Sequence, residues 1–316
     1  MRVYGVAFLI ILVFLSGCSR TTSHGQINKV GMLVETTIHD QAWGQQGYKG
    51  LLSIQKEYGT DVYFKEGIKN YNQTAEAVDE LVNKGVRVIF GHSNIYGEYF
   101  QELHDSYPDV HFIYFNGDYA AENVTSLNFS ANAMGFFGGM VAGEMTSSNH
   151  VAVIAAYEWQ PEVEGFYEGV KYQNPDAKVE ISFVNSWDNT PKAMVLYNQM
   201  KENGADVFYP AGDQFSVSMV HQIQEDQKYA IGYVTDQSSL GANTVLTSTV
   251  QKVDVVYKLA MDRLMDGSLP GKSIEFDFKE GAITMGKYSQ KVPGSFVKKM
   301  KSTVAEYSRT GNLPNQ

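Results

Sequence analysis

The segment VETTIHDQAWGQQGYKG, residues 34–50, decides how the chain is expected to fold. It continues the β-rich run KVGMLVE (29–35) and leads into residues whose apolar positions have helical spacing. An acid, Asp40, and an aromatic residue, Trp43, therefore stand where a strand should meet a helix. Such loops hold ligands in open α/β sheets, although Asp40 is equally suited to cap the following helix. The segment predicts either a small-molecule site or an ordinary strand-to-helix turn.

The same alternation of strand and helix continues along most of the chain. Runs such as VRVIFG (86–91) and HVAVIAAY (150–157) are almost continuously apolar, and helical segments separate them. Strands joined by helices form parallel sheets, and continuous apolar runs indicate strands buried on both faces. The chain has 316 residues, more than one hydrophobic core usually serves. The predicted fold class is therefore α/β, with two doubly wound lobes.

The C-terminal part departs from this alternation. The run TVLTSTVQ (244–251) predicts a strand that leads into a helix. The next two runs, SIEFDFKEG (273–281) and AITMGKY (282–288), predict a hairpin. A last helix is expected from about residue 297 to residue 309.

The N-terminal residues have the pattern of a bacterial lipoprotein signal. A basic head precedes an uncharged apolar run that is typical of a secretory signal and not of a membrane span. The run ends in Leu-Ser-Gly-Cys, which fits a lipobox: residues 1–17 are then a cleaved signal, Cys18 carries the lipid, and 18–28 form a flexible tether. The alternative is an uncleaved anchor with a plain buried cysteine. Cys18 is the only cysteine, so an internal disulfide is excluded.

Composition and missing motifs narrow the possible functions. The formal net charge of −10 argues against a broad nucleic-acid surface, which needs clustered Lys and Arg. The sequence contains no G-x-S-x-G, H-E-x-x-H, G-x-x-x-x-G-K-[ST] or G-x-G-x-x-G motif, and its seven His residues are scattered. It therefore predicts no enzyme, no catalytic residue, no metal site and no cofactor.

All three tryptophans lie in or beside loops that follow predicted strands: Trp43, Trp159 and Trp187. Two facing lobes with aromatic residues at their loops are typical of a cleft that closes on a flat ligand. Ordinary packing of the loops is the alternative interpretation. We therefore expect the three indole rings to be candidate ligand contacts.

Several segments, taken together and in order, resemble one known family. They are KVGMLVETTIHDQAWGQQGYKGL, YPDVHFIYFN, NVTSLNFSANAMGFFGGMVAGEMT, GFYEGVKYQNPD, SW, GADVFYPAG and AIGYVTDQSSLGANTVLTSTVQKVD. This series is similar to the basic-membrane-lipoprotein family, the PnrA-like nucleoside-binding lipoproteins of ABC transporters. Within the family the chain most resembles a positive regulator of competence from Bacillus and its relatives. No single motif is specific, but the segments span nearly the whole chain behind the lipobox.

The resemblance implies a type I periplasmic-binding-protein fold, in which two Rossmann-like lobes are joined by a hinge that the chain crosses three times. The expected boundaries of lobe I are residues 29–130 plus about 247–270. Those of lobe II are residues 131–246 plus about 271–316. The hinge lets the two lobes close on a ligand.

The resemblance also implies candidate ligand-binding residues in lobe I and at one strand of lobe II. The family's first loop matches Asp40, and Trp43 replaces a stacking phenylalanine, while Gly44 stands where the family has asparagine. The aspartate that reads the base is Asn116 here, which keeps hydrogen bonding but loses a charge. Tyr209 is expected to face Trp43 across the cleft.

Four more positions of the implied site lie further along the chain. The family's glycine-rich loop is replaced by AGDQF, which adds the acid Asp213. In GYVTDQ the family residue Asp236 is kept, but Val234 replaces an aspartate. Gln251 stands where the family has a lysine. The set of residues that binds a nucleoside in the family is thus only partly present. Each lost charge-assisted hydrogen bond removes about 1.5–3 kcal/mol of binding free energy.

Three functions follow from these observations. The first is a lipid-anchored, extracytoplasmic solute-binding protein that acts as a sensor or indirect positive regulator of competence genes through a membrane signalling partner, with a nucleoside-like ligand. The second is delivery of nucleosides to an ABC permease. The third is a direct DNA-binding activator, which the lipobox and the acidic charge disfavour.

Overall fold

A computed structural model describes residues 27–39 and 43–316 of the chain. The expected signal sequence, Cys18 with its lipobox, most of the tether, and Asp40 lie outside the described residues. Within the described part, no helix is long and apolar enough to cross a membrane.

Lobe I is built on a sheet of six parallel strands. Across the sheet the order is β11 (Ser273–Phe276), β5 (Val124–Phe129), β4 (His111–Phe115), β3 (Val88–Gly91), β1 (Lys29–Leu33) and β2 (Asp61–Lys65). The helices are α1 (Trp43–Tyr58) and α8 (Val253–Met265) on one face, and α2 (Tyr71–Asn83) and α3 (Tyr96–Leu103), with the 3-10 turn His104–Ser106, on the other.

Lobe II repeats this plan with one antiparallel edge. Its order is β12 (Ile283–Met285), β10 (Val245–Gln251), β9 (Tyr229–Val234), β8 (Val207–Ala211), β6 (His150–Ala155) and β7 (Lys178–Phe183), of which only β12 runs antiparallel. One face carries α4 (Ala131–Met145), α5 (Pro161–Gln173) and α9 (Gly294–Thr310), and the other α6 (Thr190–Glu202) and α7 (Asp213–Glu225). The 3-10 turn Gln237–Leu240 follows β9.

Both sheets are buried on both faces, which explains the continuous apolar runs. In β1, Met32 packs into the core beneath α1 and α8, whereas the next residue, Leu33, packs into the core beneath α2 and α3. Successive strand residues point to opposite faces, so both must be apolar when helices cover both. The two doubly wound lobes predicted from the alternation are present.

The chain crosses between the lobes three times, and two crossings differ in place from the expectation. The first crossing lies at 130–131, between β5 and α4. Strand β10 lies wholly in lobe II, so the second crossing follows Gln251 and does not precede 247. Strand β11 pairs with β5 of lobe I, so the third crossing follows Phe276 and not residue 270.

The predicted hairpin of β11 and β12 is wrong. Strand β11 adds in parallel to the edge of the lobe I sheet, and β12 pairs antiparallel with β10 at the edge of the lobe II sheet. Each strand therefore satisfies its backbone hydrogen bonds on a different lobe, and the segment between them is an interlobe crossing.

Helices α4 and α5 pack through glycines that let their backbones touch. A Cβ atom on Gly135 would lie 2.1 Å from the carbonyl oxygen of Glu162, and one on Gly165 would lie 1.9 Å from that of Asn132. Neither distance is possible for a real side chain, so only glycine fits here. This contact holds the start of α5 against α4, the helix that follows the first crossing. The start of α5 borders the interlobe cavity.

The last helix, α9, docks on lobe II and reaches the hinge. Phe296 and Met300 are buried in the lobe II core. The hydroxyl of Tyr307 donates to Asp277 Oδ2 at 2.7 Å and lies 3.3 Å from Ser130 Oγ. Ser130 belongs to the first crossing and Asp277 to the third, so one tyrosine joins two of the three interlobe segments.

Candidate functional site

A cavity of about 580 Å³ lies between the two lobes. Its walls include residues at or after the carboxyl ends of β1, β2, β3, β4 and β5 in lobe I and of β6, β7, β8, β9 and β10 in lobe II. The carboxyl ends of parallel strands all face this space, as expected for a ligand site in an open α/β fold. Small-molecule sites usually measure about 300–1,000 Å³, so the cavity has the size of one.

Trp43 forms the lobe I wall as the first residue of α1. Its ring is stacked on the imidazole of His92, with centroids 4.4 Å apart and an interplanar angle of 12°. The indole Nε1 donates to the His92 carbonyl at 3.1 Å, and His92 Nε2 donates to the Trp43 carbonyl at 2.8 Å. Trp43 therefore lines the cavity as expected, but His92 already covers one face of its ring.

His92 connects this wall to the helix that follows the second crossing. The residue is 1% exposed, and burial lowers the pKa of its imidazole to about 4, so the ring is neutral near pH 7. Because Nε2 donates to a carbonyl, Nδ1 accepts from the hydroxyl of Tyr257 on α8, at 3.1 Å. Tyr257 in turn stacks on Phe90, with ring centroids 4.3 Å apart.

An aromatic group forms the mouth of the cavity on lobe II. Tyr157 and Trp159 are stacked with centroids 5.4 Å apart and an interplanar angle of 13°. Trp187 meets both edge-on, at 5.3 and 5.8 Å. Trp159 is 55% exposed, an unusual exposure for a tryptophan. The structure thus brings the two predicted tryptophans together, and it adds Tyr157.

A buried carboxyl group lies behind the aromatic group. Glu162 is 4% exposed, and its Oε1 accepts from Gln160 Nε2 at 2.8 Å and from the Tyr233 hydroxyl at 2.9 Å. Burial raises the pKa of this carboxyl, and the hydrogen bonds oppose the change. All three side chains border the cavity, and none was identified from the sequence.

Three further candidates border the cavity. Asn116 is the first residue after β4 and has a positive φ of 62°, which asparagine tolerates. Asp213 is the first residue of α7, where the helix dipole favours a negative charge. Gln251 ends β10 immediately before the second crossing.

Two candidates lie elsewhere. Tyr209 is fully buried in the middle of β8, where its ring stacks on Phe166 at 4.6 Å and its hydroxyl lies 3.0 Å from Thr249 Oγ1. It does not face Trp43, because its strand position directs the side chain into the helix layer. Asp236 caps the 3-10 turn after β9 by accepting from Ser238 N at 3.1 Å, and it is not part of the cavity wall.

The family model for ABC transporter substrate-binding proteins of the PnrA-like type, Bmp, matches residues 27–316. The chain belongs to the Bmp family. The Bacillus subtilis (strain 168) protein called transcriptional activator protein med is 47% identical over 304 residues, which cover 96% of both chains. A Lactococcus lactis Bmp protein, called ABC transporter nucleoside-binding protein BmpA, is 25% identical and covers 86% of this chain and 87% of its own.

Solved structures of similar proteins agree with this assignment. The crystal structure of a transcriptional activator of the comK gene from Bacillus halodurans has 42% identity and a TM-score of 0.85, and it covers 90% of this chain and 99% of that one. A solute-binding protein of an ABC transporter system from Conexibacter woesei has a TM-score of 0.74 at 18% identity, covering 91% and 98%. The expected type I periplasmic-binding-protein fold is confirmed.

One position of this Bmp protein stores backbone strain at the cavity. Val234 has a φ of 60°, and a hydrogen bond of 2.7 Å from Thr235 N to Tyr233 O closes a three-residue turn around it. This conformation is unfavourable for a β-branched residue, at a cost of about 1–3 kcal/mol. Strained residues concentrate at functional sites, and Val234 borders the cavity.

Sequence reasoning missed several residues of the cavity wall that have a recognisable signal. Glu35 and Ser93 both follow parallel strands, and Ser93 Oγ donates to Glu35 Oε2 at 2.8 Å. Lys69 and Asp118 lie in the loops after β2 and β4. Taking every polar residue within a few positions of a strand's carboxyl end would have included all four.

Proposed function

We propose that this protein is an extracytoplasmic, lipid-anchored solute-binding protein that works as a sensor and acts indirectly as a positive regulator of competence genes. The observation that carries the proposal is the interlobe cavity, which both lobes line with the ends of their strands. Neither lobe alone forms this site. A solute that contacts both lobes stabilises the closed arrangement by its greater affinity for it, and a membrane partner reads that state.

The three interlobe segments supply the hinge for this closure. Tyr307 holds Ser130 and Asp277 together, so two crossings move as one unit. The remaining crossing, the second, begins at Gln251, which borders the cavity. Ligand contact and hinge movement therefore involve the same short segments.

The ligand is proposed to be a small, flat organic solute, with a nucleoside as one candidate. The relative from Lactococcus lactis is called nucleoside-binding, and the aromatic side chains at the cavity provide stacking surfaces. Two residues argue against a typical nucleoside as the ligand. Asn116 and Gln251 carry no charge at positions where the family pattern has charged residues. We expect nucleoside affinity to be weaker than in relatives that keep those charges.

The regulatory role is supported by the two most similar proteins reported above, one called a transcriptional activator and the other an activator of the comK gene. Anchoring through Cys18 places any effect on transcription downstream of a membrane partner. If a Cys18→Ala variant stays in the membrane fraction with an unchanged mature size, the anchor is refuted. A salt-sensitive gel shift on specific DNA would instead favour direct DNA binding.

A thermal-shift screen tests the solute-binding proposal. The panel contains nucleosides and other small aromatic solutes, each added to the purified protein. A ligand at about 100 times its Kd adds about 2.7 kcal/mol and raises the Tm by about 5 °C or more. If no solute raises the Tm, and Trp159→Ala leaves regulatory activity in cells intact, the proposal fails.

Delivery of a solute to an ABC permease is the second candidate, because the family model describes transporter substrate-binding proteins. Measuring the uptake of a labelled solute found in the screen distinguishes the transport function from the sensor function. Loss of uptake on deletion of this chain supports transport, and unchanged uptake with lost regulation supports the sensor.

A further inference from the structure

The charges around the interlobe cavity are unbalanced. Five carboxyl groups border it: Glu35 and Asp118 from lobe I, and Glu162, Asp188 and Asp213 from lobe II. Within the described part of the chain, Lys69 is the sole Lys or Arg in the cavity wall. His92 adds no positive charge, because its buried ring is neutral near pH 7. The cavity is thus acidic on both sides.

Four of these carboxyl groups have no ionic partner in the part of the chain that the structure describes. Among the described residues, no Lys, Arg or His lies within 4.0 Å of the carboxyl oxygens of Glu35, Asp118, Glu162 or Asp188. Ser93 donates to Glu35 at 2.8 Å, and Ser186 donates to Asp188 at 2.6 Å. These neutral hydroxyls orient the carboxylates and leave their charges in place.

This distribution makes closure of the lobes dependent on charge. Glu35 and Asp118 lie on the lobe I wall and the other acids on the lobe II wall, so closure would bring them nearer, and like charges repel more strongly as water leaves. An anionic solute adds to the repulsion, and a neutral solute leaves it unchanged. A cation between the lobes reduces this repulsion, so closure favours a cation over a neutral or anionic solute of the same shape.

The aromatic group at the cavity mouth is suited to the same kind of ligand. Trp159 is stacked on Tyr157 through one ring face and is 55% exposed, and Trp187 lies edge-on beside both. Indole faces are the strongest cation–π acceptors among side chains. A flat organic cation can stack there while its charge lies among the carboxylates.

We propose that the solute is a planar organic cation, which stacks on Trp159 and Trp187 and balances the carboxylates of both lobes. This inference rests on the proposed solute-binding function and narrows its ligand class. The proposed ligand differs from a neutral nucleoside in its positive charge.

Isothermal titration calorimetry on the full chain tests the charge requirement with a matched pair of probes. 1-Methylnicotinamide is a planar cation, and nicotinamide is its neutral counterpart of nearly the same shape. We expect the cation to bind roughly tenfold more tightly. Its affinity should fall as ionic strength rises from about 0.01 to about 0.15 M, because the Debye length shortens from about 30 to about 8 Å. Guanosine serves as the neutral nucleoside.

Variants of opposite sign separate an electrostatic role from a structural one. Glu35→Gln should weaken binding of 1-methylnicotinamide by about twofold to fivefold, and Lys69→Met should strengthen it by about twofold. Trp159→Ala should weaken it by about fivefold. The matched control is Glu202→Gln, which removes one exposed carboxylate on α6, away from the cavity, and should leave the affinity unchanged.

The outcomes distinguish this inference from the function on which it rests. If nicotinamide or guanosine binds at least as tightly as 1-methylnicotinamide, the cavity binds solutes but the cation proposal is overturned. If Glu35→Gln and Lys69→Met change affinity in the same direction, charge is not the reason for binding, and the proposal fails. If none of the three probes binds, while other neutral solutes raise the Tm, the proposal fails and solute binding stands.

Discussion

The contact between α4 and α5 provides a sharp test of how lobe II holds its half of the cavity. A Cβ atom on Gly169 would lie 1.9 Å from the Phe136 carbonyl oxygen and 2.7 Å from its carbonyl carbon. The normal carbon–oxygen separation in such close helix contacts is about 3.3 Å. Gly169→Ala therefore forces the helices apart by more than about 1 Å, because neither backbone can rotate out of the way.

The expected effect is a net loss of stability. Replacing glycine with alanine inside a helix gains about 1 kcal/mol of helix propensity. Overpacking costs about 1–3 kcal/mol where side chains can adjust, and more where the clash is with a rigid backbone. We expect a net loss of about 2 kcal/mol or more, which lowers the Tm by about 4–8 °C.

Thermal and urea unfolding followed by circular dichroism measure this loss. The matched control is Gly294→Ala at the first position of α9, where nothing lies within 4 Å of the added Cβ atom. The control should be neutral or slightly stabilising. If Gly169→Ala and Gly294→Ala unfold at the same temperature, the two backbones are not in contact as described and the reasoning is wrong.

Three further predictions concern the hydrogen bonds around the cavity and hinge. Burial lowers the pKa of His92 from its ordinary 6.5 to about 4, so the unfolded chain binds a proton at a higher pH than the folded chain does. The free energy of unfolding should therefore fall by about 2–3 kcal/mol as the pH is lowered from 6.5 to 4. In urea unfolding, the His92→Gln variant should show a smaller fall over the same pH range. Tyr257→Phe removes the donor to His92 Nδ1 and should lower the free energy of unfolding by about 1–2 kcal/mol; an unchanged urea midpoint would contradict this. Tyr307→Phe removes the hydrogen bond to Asp277 and should lower the free energy of unfolding by about 1–3 kcal/mol. It should also speed amide hydrogen exchange in the interlobe crossings. Unaltered exchange at Ser130 would contradict the hinge role of Tyr307.

The sequence predicted the two lobes because each strand had to be apolar on both faces, a property visible in consecutive residues such as Met32 and Leu33. It failed at the C-terminal crossings, because the partner of a short edge strand is set by contacts far along the chain. Nothing local in the residues of β11 indicates that they pair with β5. Edge strands with few residues carry too little pattern to choose between sheets.

The candidate site was predicted in part for similar reasons. Trp159 and Trp187 follow strand ends, and that position alone brought them to the cavity. The prediction that Tyr209 faces the cleft is not met, because a residue inside a buried strand points into a helix layer. Glu162 could not be foreseen as a buried acid, because its burial depends on Tyr233, 71 residues away.

Intrinsic fluorescence tests the central claim, that the interlobe cavity binds a solute, most directly. The sequence has three tryptophans, and all of them border the cavity: Trp43, Trp159 and Trp187. Every tryptophan signal of the protein therefore reports on the site. We expect a saturable change in emission during titration with a solute that raises the Tm, and a smaller change in Trp159→Ala. An emission spectrum that stays constant while such a solute binds would place the ligand elsewhere and contradict the claim.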